Sequence, residues 1–163
     1  MSDFIKPSLS ADDIYEGKQF EETVPGVYQM AIAGNLRVRK TQKGDMKLEV
    51  FLKHVDPDNA SRYKGVNGAV MLTGTDKNGK PLARQFGDLL HAIGFSKDDI
   101  TADGTGVNLL GDLDTADWKG VSAAVAIRGD VVDLVGRECM VKVGANTFEG
   151  KTKIRADAFY PLS

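Results

Sequence analysis

The sequence predicts a mainly β domain: five strands closing into a small barrel, with a helix and a helical insert between the third and fourth strands. Three observations predict it. Apolar and polar residues alternate at period two in four long segments that fall into two pairs. One helical apolar stripe lies between those pairs. The length, 163 residues, suits a single domain with one modest extra element.

Residues 1–24 are acidic and weakly patterned, and read as an N-terminal arm; Ser10-Ala11-Asp12-Asp13 is a cap for a short helix within it. The folded domain is expected over residues 25–163. Val24-Pro25-Gly26 punctuates entry to the first strand. There Tyr28, Met30, Ile32, Leu36 and Val38 share one face, and Gln29, Ala31, Asn35, Arg37 and Arg39 the other. Gly34 interrupts the apolar face, as a bulge or bend that curls a sheet does. Residues 41–45 hold a Gly and form the hairpin loop. In the second strand Met46, Leu48, Val50 and Leu52 face inward; Lys47, Glu49, Phe51 and Lys53 face outward.

Residues 55–67 read as a loop, and residues 69–73 as a short third strand. The helix is predicted from Pro81, a favoured first helical residue, with Leu82, Phe86, Leu89, Leu90 and Ile93 as its stripe and Gly94 as its stop. Residues 96–137 form the insert, and its Ala-rich run Val121 to Ile127 is read as helix. A second hairpin follows: Cys139, Val141 and Val143 face inward, residues 144–150 form the loop, and Ile154, Ala156 and Ala158 face inward on the fifth strand. Five strands with a helix between the third and fourth is the layout of the OB-fold, a Greek-key barrel. An α+β sheet with a helix on one face is the alternative.

Composition excludes several classes. No apolar run reaches the roughly 20 residues of a membrane helix, and the N-terminus lacks the basic and apolar regions of a secretory signal. A single cysteine rules out an internal disulfide framework and suits a cytoplasmic location. Net charge is −2, but it is unevenly spread: −4 over residues 1–25, +4 over 26–73, −3 over 74–137 and +1 over 138–163. Positive charge gathers on the strands.

The motifs of chemistry are missing. One Cys and two His make no zinc spacing. His54 and His91 are expected to be exposed surface residues. Asp99-Ile100-Thr101-Ala102-Asp103-Gly104 opens like a calcium loop, but its twelfth position is Leu110. Gly150-Lys151-Thr152 resembles the end of a phosphate loop, with a strand following instead of a helix. Cys139 has core parity and reads as a small buried hydrophobe. Asp112, Asp114 and Asp117 have no partnering histidine and read as loop and cap residues. The chain is therefore expected to be no enzyme and to need no cofactor or metal; an unrecognised active site in residues 96–137 is the enzymatic alternative.

What remains is the outward strand face. Arg37 and Arg39 stand on the first strand, Lys47 and Lys53 on the second, Lys142 on the fourth, and Lys153 and Arg155 on the fifth. Phe51 lies among them. An aromatic ring between bases stacks a nucleobase while its neighbours hold phosphates. Tyr63, between Arg62 and Lys64, repeats the pairing, and Phe148 in the last loop is a further aromatic. The competing reading is that such faces are basic because Lys guards strands against aggregation.

Short segments also resemble a known family. Val24-Pro25-Gly26-Val27-Tyr28, Lys43-Gly44, the helix from Phe86 to Gly94 and Gly136-Arg137-Glu138-Cys139 are similar in outline to phage-encoded single-stranded DNA-binding proteins, over roughly residues 20–161. The resemblance implies an OB-fold, single-stranded DNA as ligand, replication or recombination proteins as further partners, and the cytoplasm of an infected bacterium as location. The chain departs from many single-strand binders at its end, Phe159-Tyr160-Pro161-Leu162-Ser163, which has no acidic tail. The sequence-level expectation is sequence-tolerant binding of single-stranded DNA, with oligomeric state left open. The alternative is a protein-interaction module that docks a replication enzyme or inhibits a host factor.

Overall fold

The computed structural model describes residues 20–113 and 120–162, with Lys6 and Ser8. The predicted cap at residues 10–13, most of the arm, Asp114 and Asp117 lie outside the described residues. The elements are β1 (Gly26–Lys40), β2 (Met46–His54), α1 (Pro57–Arg62), β3 (Val66–Met71), α2 (Arg84–Ala92), α3 (Lys97–Thr101), β4 (Gly106–Leu109), β5 (Val121–Ile127), β6 (Asp130–Val132), β7 (Glu138–Phe148) and β8 (Lys151–Tyr160).

Five of these strands close a barrel. β1 pairs antiparallel with β2, β2 with β3, β8 with β7, and β7 with β1. A short parallel seam between β3 and β8, Asn67 opposite Arg155 and Gly68 opposite Ala156, completes the ring. The seam is tight because both partners are small: a Cβ on Gly68 would lie 3.0 Å from that of Ala156. With α2 between the third and fourth barrel strands, this is the OB-fold-like barrel expected from the sequence.

The period-two pattern explains the core. Met30, Ile32, Val38, Leu48, Val50, Leu52, Val70, Cys139, Val141 and Val143 are all buried. α2 packs on β3 and β8 and adds Leu89 and Leu90. Burying each such side chain stabilises the fold by about 1.5–3 kcal/mol relative to exposure. Gly34 is the predicted irregularity: the β1–β2 register shifts between Ala33 and Arg37, and Gly34 has φ +77°, which a side chain would strain. Before the shift β1 pairs with β7; after it, Arg37 and Val38 pair with β5.

The structure corrects the expected elements at five places. Val121–Ile127 is a strand, not a helix. Its alanines are good helix formers, but β4 lines one edge, β1 and β6 line the other, and the apolar run fits a buried central strand. Among its described residues the insert is thus a small antiparallel sheet with the five-residue helix α3. Residues 55–67 hold α1, capped by Asp56, whose carboxylate accepts from the Asn59 N–H at 3.2 Å. β3 starts at Val66 rather than residue 69. α2 starts at Arg84, after Pro81 has formed a bridge with Thr75. The loop read over residues 144–150 is mostly strand: β7 runs to Phe148, and Glu149 and Gly150 turn the chain with φ +51° and +77°. No described helix is long and apolar enough to cross a membrane.

Candidate nucleic-acid interface

The outward residues of β1, β2, β3 and β8 line one open groove of about 740 Å³. Arg37, Arg39, Lys47, Phe51, Lys153 and Arg155 all face it. The strand registers bring them together. Arg37 stands opposite Glu49, and Arg39 opposite Lys47, across β1 and β2. Phe51, Asn67 and Arg155 form one row across β2, β3 and β8. The fold therefore joins cations that are more than a hundred residues apart in sequence.

The groove is electropositive. Five cations meet two carboxylates, Glu22 and Glu49. Arg39 Nε lies 2.9 Å from Glu49 Oε1, an ion pair whose alignment leaves the Nε–H without a well-directed hydrogen bond. Arg37 donates to the Gly120 carbonyl at 3.4 Å. Among the described residues, Lys47, Lys153 and Arg155 have no carboxylate at ion-pair distance. Like charges directly opposite on a sheet are destabilising, so this face gains when an anion sits on it.

Phe51 is half-buried, its ring laid against Gly65. A Cβ at position 65 would collide with that ring and lie 2.7 Å from the Leu52 carbonyl. The absent side chain gives the ring its seat.

The other expected contacts separate. Lys53, Tyr63 and Lys64 line a second cavity, which shares Phe51 as a wall with the groove. Tyr63 is only 8% exposed and is not the open stacking platform expected. Its ring lies beside Tyr28 and His54, with the Arg62 guanidinium 4.9 Å from its centroid. Arg62 lines neither cavity; its Nε donates to Glu21 at 3.0 Å. Lys64 pairs with Glu22 at 3.5 Å. Lys142 is exposed on β7, between Val27 and Ala158, outside the groove. Phe148 ends β7 opposite Lys151.

No family model matches this chain, and no curated protein matches it.

His54 is the largest departure from expectation. It is 8% exposed, not a surface residue. Its Nε2 lies 2.9 Å from the Thr23 hydroxyl, and that hydroxyl donates to the Lys64 carbonyl at 3.1 Å. The hydroxyl has one proton, so Nε2 is the donor toward it and Nδ1 carries the lone pair. Burial holds the imidazole below the ordinary histidine pKa, with the Asp56 carboxylate acting the other way. His91 is exposed, as expected.

The remaining motifs resolve into structure. Asp99 takes the Arg128 Nε–H at 2.7 Å, which ties α3 to the β5–β6 turn and holds its carboxyl below the usual range. Gly150-Lys151-Thr152 is the β7–β8 turn and the strand after it. Among the described residues no group of three His, Cys, Asp or Glu is placed to hold a metal.

Asn67, Thr152, Glu22 and the outward Glu49 also line the groove, and so does Ile154, which the strand parity places inward. Asn67 had a signal, an outward parity on β3. It was hidden because Asn67-Gly68 reads as a turn dipeptide. No described residue of the insert lines the groove; the insert extends the sheet beyond β1.

Proposed function

We propose that this chain is a sequence-tolerant single-stranded DNA-binding protein. The observation that carries the reading is the groove: Phe51 among Arg37, Arg39, Lys47, Lys153 and Arg155 on one barrel face. Cations hold phosphates without regard to sequence, and an aromatic ring stacks any base. The face formed by the second and third barrel strands is also where OB-folds bind oligonucleotides, a fold-level analogy that supports the site. Arg37, Arg39, Lys47, Lys153 and Arg155 contact phosphate in this reading, and Phe51 stacks. No bond is made or broken. The resemblance to phage-encoded single-strand binders supports a role in phage replication or recombination.

Fluorescence anisotropy with a labelled single-stranded oligonucleotide at low salt tests it. Binding is expected, weakened by about 1–3 kcal/mol in Phe51→Ala. No binding at low salt and high protein concentration refutes it.

A second reading, a protein-interaction module, rests on the insert. Val131 and Val135, which line one open cavity there, are more than half exposed, and exposed apolar patches mark protein contacts. That module gives no anisotropy change with any oligonucleotide.

A further inference from the structure

The second cavity, about 470 Å³, lies across Phe51 from the basic groove. Phe20, Phe51, Tyr63 and His54 contribute to its walls, and Lys53 and Lys64 are exposed among its lining. We propose that it receives one nucleobase extruded from the strand in the groove, seated against Phe20 and Phe51, with Lys53 and Lys64 holding the adjoining phosphates. The inference rests on reading the groove as a single-strand site.

Four observations carry it. The volume falls within the roughly 300–1,000 Å³ of small-ligand pockets. The lining joins aromatic walls to two lysines, which matches a nucleotide: a flat apolar base attached to an anion. Phe51 faces both spaces, so a strand crossing its ring passes from one to the other without leaving the protein surface. Phe20 is 41% exposed although the chain next to it is fixed: the Glu21 N–H donates to the Arg62 carbonyl at 2.9 Å, and the Lys64 N–H to the Glu21 carbonyl at 2.8 Å. A large aromatic ring held in the open is a surface ready for stacking.

The test uses the full chain and a single-stranded oligonucleotide carrying one 2-aminopurine, whose fluorescence falls on stacking. Ala60, on the exposed side of α1, lines the cavity, so Ala60→Trp fills it; Phe20→Ala removes a wall. Unchanged thermal unfolding shows that both variants fold. The wild type is expected to quench the probe, and each variant to abolish the quench and bind roughly tenfold more weakly. Full affinity and unchanged quenching in both variants overturn the base pocket and leave the groove standing. Absence of binding by the wild type overturns both. Failure of the variants to alter the quench while Phe51→Ala removes it places the stacked base in the groove, and also overturns the pocket.

Discussion

Nε2 of His54 donates to the hydroxyl of Thr23 across 2.9 Å, and so ties the segment before β1 to the end of β2. Burial keeps this imidazole neutral below the ordinary histidine value of about 6.5. In a mild acid window the unfolded chain therefore binds a proton that the folded chain does not. The contribution of His54 is complete above about pH 6.5 and is lost as the pH falls below it, through the window down to the lowered folded value. Denaturant unfolding at about pH 7.5 and about pH 5.5 measures the effect. The wild type is expected to lose stability at the lower pH, and His54→Phe to lose less. An equal loss in both assigns the acid sensitivity to other groups.

The groove and the rest of the surface differ in what salt does to them. Affinity for single-stranded DNA is expected to fall with salt at a log–log slope of about −0.7 for each phosphate neutralised. Lys153→Gln and Arg155→Gln should each flatten the slope by about 0.7. Lys142→Gln should leave slope and affinity unchanged, because Lys142 lies outside the groove. A flattening with Lys142→Gln moves the binding path around the barrel toward β7.

Glu22 places a carboxylate in the groove while pairing with Lys64 at 3.5 Å. Both side chains are more than half exposed, and exposed pairs contribute at most about 1 kcal/mol. Glu22→Gln should leave the unfolding temperature nearly unchanged. It should tighten oligonucleotide binding by roughly two- to fivefold, since it removes a like charge from beside the phosphates and frees Lys64. Weaker binding in the same titration would falsify the placement of phosphate at this end.

Cys139 is fully buried between barrel strands, and burial pushes its thiol up to about 11. The thiolate is the reactive form. A thiol reagent at neutral pH is expected to leave the native protein unlabelled and to react promptly in denaturant. Fast labelling of folded protein contradicts the burial.

Much of the barrel is written locally. The alternation through Met30, Ile32 and Val38, and through Leu48, Val50 and Leu52, requires only that one face be dry, so both strands of the first hairpin were legible. The same parity exposed Arg37, Arg39, Lys47, Phe51, Lys153 and Arg155. What it did not give was which outward residues share a groove. That depends on the seam joining β3 to β8, a tertiary pairing with no local mark. Lys142 has the same parity as Lys153 and faces elsewhere. In the insert, Ala123 and Ala124 suit a helix in isolation, and only partners on both edges make them strand. Tyr63 and His54 looked exposed because charged or turn-forming residues flank them. Their burial comes from residues 20–23 folding back over α1, a contact between segments about forty positions apart.

The seam itself sets a kinetic condition. Only two residue pairs join β3 to β8, and Asn67 and Arg155 are 88 positions apart. Closing the ring needs this seam and the β1–β7 pairing, whose partners Gly26 and Val143 are 117 positions apart, and such distant contacts cost loop-closure entropy. Asn67 and Arg155 also line the basic groove. The groove therefore comes into being only when the ring shuts, and a half-folded chain has its cations but no place to gather them. Any ligand spanning β2, β3 and β8 acts as a clasp across this two-pair joint, favouring its closed form the more tightly it is held.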